Sequence, residues 1–116
     1  MDNNPNDRRM DYIELPAAGI AATKEFYQQV FGWRFTDYGL DYTSFEDGRL
    51  AGGFSNSEEA ARRGVLVVIY AKDLEETERQ VRAAGGRIVK ETFSFPGGRR
   101  FHFTDPAGNE LAVWSE

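Results

Sequence analysis

The 116-residue chain contains no cysteine. That excludes disulfides, thiolate nucleophiles, iron–sulfur clusters and cysteine-bound zinc in one step, and it suits a cytoplasmic location, which is the expectation taken from it. Histidine occurs once, at His102. A Ser–His–Asp triad would have to bring Ser44, Ser55 or Ser57 to that one ring, and no nucleophile-elbow motif surrounds any of the three. No apolar run approaches the ~20 residues of a membrane span. Residues 1–9 are polar, lack the apolar stretch of a signal peptide, and are expected to form a flexible tail. The arginines are scattered, and the net charge is −5. Nucleic acid and anionic membrane are therefore not expected as partners. No glycine-rich phosphate loop is present either: Gly52-Gly53 and Gly85-Gly86 read as close packing on a strand and as a helix stop.

What is abundant is apolar and aromatic surface. Hydrophobic residues make up 41% of the chain and sixteen residues are aromatic, enough to build the core of one ordinary domain and to line a surface besides. Residues 11–15 alternate in period two and stop at Pro16, which predicts a strand. Residues 19–31 carry Ile20, Phe26, Tyr27, Val30 and Phe31 at helical spacing, followed by Gly32 where a left-handed cap belongs. Strands are expected around residues 33–35, 42–45 and 50–54, with Asp47-Gly48 as a hairpin turn. Residues 57–63 are polar, without apolar periodicity, and read as a linker that has room for a short helical turn.

The pattern then restarts. Residues 65–70 are a β-branched strand apolar on both faces. Asp73 and Glu76 make a capping box for a helix carrying Leu74, Thr77, Val81 and Ala84 on its inner side, ended by Gly85-Gly86. Strands follow at 87–95, 99–104 and 110–114, with a tight turn at residues 105–109. A shift of 54 residues overlays Ile13 on Val67, Leu15 on Ile69, Ile20 on Leu74, Thr23 on Thr77 and Gly32 on Gly86. A shift of 61 overlays Leu50-Ala51 on Leu111-Ala112. This self-similarity predicts an α+β fold of two tandem βαβββ modules forming a curved mixed sheet around a cleft, with module one at 10–56 and module two at 64–116. A ferredoxin-like βαββαβ fold ranks second, because it has no place for the extra hairpin in each half.

Several motifs in order carry a family resemblance. Tyr12-Ile13-Glu14-Leu15-Pro16 followed by Phe26-Tyr27-Gln28-Gln29-Val30-Phe31-Gly32-Trp33 resembles the first half of the vicinal-oxygen-chelate superfamily. Tyr70-Ala71-Lys72-Asp73-Leu74, Ala83-Ala84-Gly85-Gly86 and Phe103-Thr104-Asp105-Pro106-Ala107-Gly108-Asn109 resemble its second half. The likeness covers nearly everything after residue 10. The family includes glyoxalase I, ring-cleaving dioxygenases, epimerases, fosfomycin-resistance transferases and bleomycin-binding proteins, so fold leaves function open. Its metal-dependent members hold a divalent ion with His, Gln or Glu on the first and last strands of each module. Carried over by the motifs, those positions fall at Tyr12, Leu66, about Ala51, and Ala112. Leu and Ala cannot coordinate a metal, and Tyr rarely does so alone.

No metal or other cofactor is therefore expected. Strand parity predicts that Tyr12, Glu14, Leu66, Val68, Tyr70, Ala112 and Trp114 face the ligand, with Ile13, Leu15, Val65, Val67, Ile69, Leu111 and Val113 packing beneath the helices. Glu14 is the one candidate catalytic residue, a general base if burial raises its pKa. His102, flanked by Phe101 and Phe103, points the opposite way from them and reads as a surface or hydrogen-bonded strand residue rather than a metal ligand. Three functions stay open: metal-independent binding of a small organic molecule, a metal-dependent lyase or isomerase of the glyoxalase I type, and a non-catalytic subunit. The resemblance also implies a homodimer.

Overall fold

The computed structural model describes residues 5–116. The architecture is α+β, an open eight-stranded sheet built from two βαβββ repeats, and the described residues fall into two compact units. The first is Tyr12–Leu66 and the second is Val67–Glu116 together with the residues before Tyr12.

In the first unit the chain runs through β1 (Arg9–Pro16, of which Tyr12 onward belongs here), α1 (Ile20–Phe31), β2 (Arg34–Asp37), β3 (Tyr42–Glu46), β4 (Ala51–Ser55) and α2 (Glu58–Arg63). β1 and β4 pair in parallel, and β4, β3 and β2 follow as an antiparallel run. Gly32 caps α1 at φ 72° as its position predicted, its N–H donating to the Gln28 carbonyl. The core beneath α1 is a stack of rings: Trp33 lies 4.6 Å from both Tyr27 and Phe45, and Phe54 lies 5.3 Å from Tyr27 and from Phe45.

The broad apolar stripe expected on α1 is only partly used. Tyr27 stacks inward, but Phe26, Val30 and Phe31 are 54–60% exposed. One ring per two turns reaches the sheet, and residues on either side of it are left at the surface. Gly52 makes the ring stack possible: a Cβ there would collide with the Phe45 ring and with the Ile13 carbonyl oxygen.

The second unit repeats the order with β5 (Leu66–Tyr70, its first residue excepted), α3 (Leu74–Ala83), β6 (Arg87–Phe95), β7 (Gly98–Thr104) and β8 (Glu110–Ser115). β5 and β8 pair in parallel, and β8, β7 and β6 are antiparallel. The Asp73 side chain accepts from the Glu76 N–H and starts α3, as its spacing predicted. Ala71, Leu74, Phe101 and Val113 form the buried core under α3, with Ile69, Val81, Ile88 and Phe103 against it. This is the parity expected for Ile69 and Val113. Ala84, expected in the buried stripe, is exposed, because α3 has already ended at Ala83.

The linker expected at residues 57–63, with room for a helical turn, carries α2: Ser57 accepts from the Ala60 N–H, Glu58 and Glu59 sit in the first turn and Arg62 and Arg63 in the last. Those are the charges that a helix dipole favours at each end, and Ala60 is fully buried. Of the residues expected as a tail, 1–4 lie outside the described residues. Asp7 accepts from the Lys72 N–H and the Arg8 N–H donates to the Tyr70 carbonyl at 2.7 Å, which ties this stretch to the second unit. Among the described residues no helix is long and apolar enough to cross a membrane.

Gly52→Ala is expected to destabilise the protein by about 1–3 kcal/mol or more, because the backbone oxygen it meets cannot move aside. Urea unfolding followed by near-UV circular dichroism measures this. A midpoint equal to that of the wild type would refute the close-approach account of Gly52.

Candidate functional site

In each unit one face of the sheet packs under a helix, which leaves the opposite face as the candidate for binding chemistry. In the first unit, the register pairs Tyr12 with Ala51 and Glu14 with Gly53. Gly53 pairs in turn with Ser44, which puts Tyr42 on the same face. The two tyrosine hydroxyls are hydrogen bonded to one another, and Tyr42 donates to Glu14 Oε2 at 3.1 Å. Glu14 Oε1 accepts from Arg63 Nη2 at 2.9 Å, and both side chains of this pair are under 10% exposed.

The result is a row Arg63–Glu14–Tyr42–Tyr12, with Arg63 also 3.7 Å from Glu59. Burial pushes the Tyr42 phenol well up, and the neighbouring Tyr12 and Glu14 add to this, so Tyr42 stays protonated and remains a donor. Glu14 is buried, as its candidate role required, but each of its oxygens is engaged. A carboxylate held by a guanidinium on one oxygen and a phenol on the other is a good anchor.

Gly53 has a particular place here. A Cβ on it would run into the Tyr42 hydroxyl and the Tyr12 hydroxyl. The strand register also revises the repeat. β5 pairs Val68 with Ala112 as β1 pairs Glu14 with Gly53. With Glu14 and Val68 related by 54 residues, the counterpart of Ala112 is Gly53, not Ala51. The 61-residue shift was drawn from a shared Leu-Ala dipeptide that lies two residues out of register.

The residues that the resemblance implies at the family's metal positions, with Gly53 in place of Ala51, are Tyr12, Gly53 and Leu66 in the first unit and Ala112 in the second. Three of them carry no donor atom in the side chain, and the space at Gly53 is taken by tyrosine hydroxyls. Among the described residues no group of three or more His, Asp or Glu lies close enough to hold a metal ion. The donor chemistry does not fit such an ion.

In the second unit, the face away from α3 carries two cross-strand rows. One reads Phe93, Arg100, Trp114, Tyr70, and the other Lys90, His102, Ala112, Val68. Leu66, by itself in the first unit, and Val68, Tyr70 and Ala112 are all buried. Trp114 Nε1 donates to Asp11 at 3.0 Å, and the Tyr70 hydroxyl donates to Glu116 at 2.6 Å. Tyr70 and Trp114 meet edge-on at 5.1 Å. Burial raises the Asp11 carboxyl above its ordinary value, opposed by the bond from Trp114. His102 points away from Phe101 and Phe103 as expected, is fully buried, and has Nδ1 2.9 Å from Glu110 Oε2.

Arg63, Tyr42, Arg100, Lys90 and Phe93 were not among the residues expected at the site. Arg63 had a signal, since Ser57 followed by two glutamates and later two arginines marks a helix start and stop. Lys90 had none. β6 carries two irregularities, between Ile88 and Lys90 and between Lys90 and Phe93. Each inserts one extra residue, so strict alternation from Ile88 puts Lys90 on the wrong face, while the second insertion returns Phe93 to the face that alternation assigns.

A family model described as Glyoxalase/Bleomycin resistance protein/Dioxygenase superfamily matches residues 9–113. Among curated proteins the chain is similar to the anthracycline biosynthesis protein DnrV of Streptomyces peucetius, at 28% identity over 89% of this chain and 45% of that one. It is similar to DauV of Streptomyces sp. (strain C5) at 27% over the same shares. The chain therefore spans less than half the length of these relatives. Among solved structures it is similar to the Mn(II)-bound glyoxalase from Novosphingobium aromaticivorans, with TM-score 0.70 and 20% identity over 95% of this chain and 39% of that one. Methylmalonyl-CoA epimerase from Mycobacterium tuberculosis gives TM-score 0.72 and 15% identity over 91% and 86%. Likeness at these identities speaks to the fold alone.

Removing Arg63 leaves a buried carboxylate without its cation. Arg63→Met is expected to cost roughly 3–5 kcal/mol, and Glu14→Met added to it to restore much of the loss. A double-mutant cycle by chemical denaturation checks this, and two independent, additive losses would contradict it. Asp11 gives a pH test. Its folded pKa lies above the unfolded one, so its contribution is present below the ordinary carboxylate range and lost as pH rises through the folded value. Asp11→Asn keeps an acceptor for Trp114 without the charge. Its stability is expected to match or exceed that of the wild type at pH 7, with the difference shrinking as both are taken to acid. Thermal melts across pH measure this.

Proposed function

The chain belongs to the Glyoxalase/Bleomycin resistance protein/Dioxygenase superfamily, and we propose that within it this protein binds a small, flat organic molecule without a metal ion. The observation that carries the reading is the row Phe93–Arg100–Trp114–Tyr70 on the face of the second unit away from α3. Trp and Tyr bring large stacking surfaces at low cost in conformational entropy, and their polar ends are already bound to Asp11 and Glu116. Val68 and Ala112 supply the apolar floor beside them. Small-molecule sites are mostly apolar with a few placed polar groups, and this face has that composition. The curated relatives are anthracycline biosynthesis proteins.

In the first unit, Tyr12 and Glu14 are proposed as polar ligand contacts and Leu66 as an apolar one. Glu14 is assigned the part of holding Tyr42 and Tyr12 in place rather than of taking a proton. The lyase reading lacks donors for its metal and is the weaker of the two. The homodimer remains part of the proposal: α1 leaves Phe26, Val30 and Phe31 largely exposed, which is the kind of apolar surface that pairing would cover.

Fluorescence titration with a panel of planar aromatics, in the presence of a chelator, tests the reading. The indole of Trp114 is expected to be quenched, and Trp114→Ala to weaken binding about tenfold through lost stacking. Binding or turnover that appears only when Mn(II) or another divalent ion is added would favour the lyase instead.

A further inference from the structure

The two repeats give a comparison within one molecule. The 54-residue shift places α1 on α3, and their inward residues agree: Tyr27 stacks on Trp33 in its unit, and Val81, its counterpart, packs against the core of the other. The outward residues do not agree. α3 carries five charged residues in ten, whereas α1 carries two in twelve, Lys24 and Glu25. Lys24 is bound to Asp37 at 2.8 Å.

The contrast is sharpest along one line of each helix. On α3, Glu76, Arg79 and Gln80 are tied together: Arg79 pairs with Glu76, and Gln80 Nε2 donates to Glu76 at 3.0 Å. Their counterparts on α1 are Ala22, Glu25 and Phe26. Val30, one turn further on, lies past the point at which α3 has ended. Ala22, Phe26 and Val30 follow at i, i+4 and i+8, and all three are exposed. The Phe26 ring meets Tyr27 edge-on at 4.9 Å, and Tyr27 stacks on Phe31 at 6.0 Å, so the patch runs unbroken to the exposed Phe31. A helix that faced only water would carry the polar line of α3.

We infer that α1 packs antiparallel against α1 of a second copy of this chain, about a two-fold axis that passes beside Phe26. This deepens the homodimer named above and rests on it. The line is complementary to itself, as a two-fold contact requires: the small Ala22 of one helix stands opposite Val30 of the other, and Phe26 opposite Phe26. The rim fits too. Gln29 reaches Glu25 of its own helix only at 3.5 Å, and in the antiparallel pair its amide meets the Glu25 carboxylate of the other copy. The apolar part of the patch covers on the order of 300 Å², as much as a monomer ordinarily leaves open. Interfaces are a little over half apolar, so the pair buries about 1,100 Å² in all, near the lower bound of a specific contact. The dimer is therefore reversible rather than obligate.

Sedimentation of the full chain over a wide range of concentration tests this. A dimer half formed on the order of 10 µM is expected. Phe26→Glu and Phe26→Lys each bring like charges together at the axis. Each is expected to weaken the dimer at least about tenfold, and an equimolar mixture of the two to restore pairing. Gln80→Glu, at the matching place on α3, is expected to leave the dissociation constant unchanged. Hydrogen exchange of the wild type needs no variant: it is expected to slow in α1 and not in α3 as concentration rises. A dimer that Phe26→Glu leaves intact, with no slowing in α1, would put the contact elsewhere and leave the homodimer standing. Variants that dissociate and do not pair when mixed would overturn the two-fold arrangement. A monomer at every concentration would remove both the contact and the homodimer.

Discussion

Side chains on a strand alternate between two faces, and in each repeat one face is already committed to a helix. That constraint decides almost everything else about this molecule. Under α3 it collects Phe101, Val113 and Ile69 into a core that Leu74 of the helix completes. Under α1 it collects the rings of Tyr27, Trp33, Phe45 and Phe54. What is left for chemistry is the other parity, and the parallel pairing of the first and last strand of each repeat brings residues distant in sequence into register there. Trp114 and Tyr70 are neighbours for this reason, as are Glu14 and Gly53.

The two adjacent glycines of β4 show how closely both faces are fitted. Gly52 has no side chain because Phe45 lies against it on the helix side, and Gly53 has none because two tyrosine hydroxyls meet above it on the other. A family position that could have carried a carboxylate for a metal is thereby turned into the seat of a phenol pair. The buried Glu14–Arg63 bridge completes that arrangement. Two desolvated charges are costly; Tyr42 takes up the second Glu14 oxygen, while Arg63 Nε is buried without a hydrogen-bond partner among the described residues.

Much of this was legible in the chain beforehand. The repeat, the helix cap at Gly32, the capping aspartate at Asp73 and the parity of β5 and β8 all follow from local rules acting on regular elements. The candidate residues Val68, Tyr70, Ala112 and Trp114 fall on one face because β5 and β8 alternate without interruption. What escaped reading has physical causes. Arg63 sits on a six-residue helix whose polarity hid it, although its charge distribution marked it. Gly53 was displaced by two residues because a matching dipeptide is weaker evidence of equivalence than a hydrogen-bonded register. Lys90 was out of reach, since an extra residue in a strand leaves no trace in composition.

The irregularities of β6 have a further meaning for how this face can change. Val89 and one residue between Lys90 and Phe93 are surplus to the ladder, while Ile88, Lys90 and Phe93 keep Phe103, His102 and Arg100 as their partners. The chain there carries slack, and a deletion of one residue at either point removes slack without moving a pair. β6 can thus shorten or lengthen by single residues while the same groups stay opposite β7. The arrangement of the face is dictated by β7, and the spacing along β6 is free to drift.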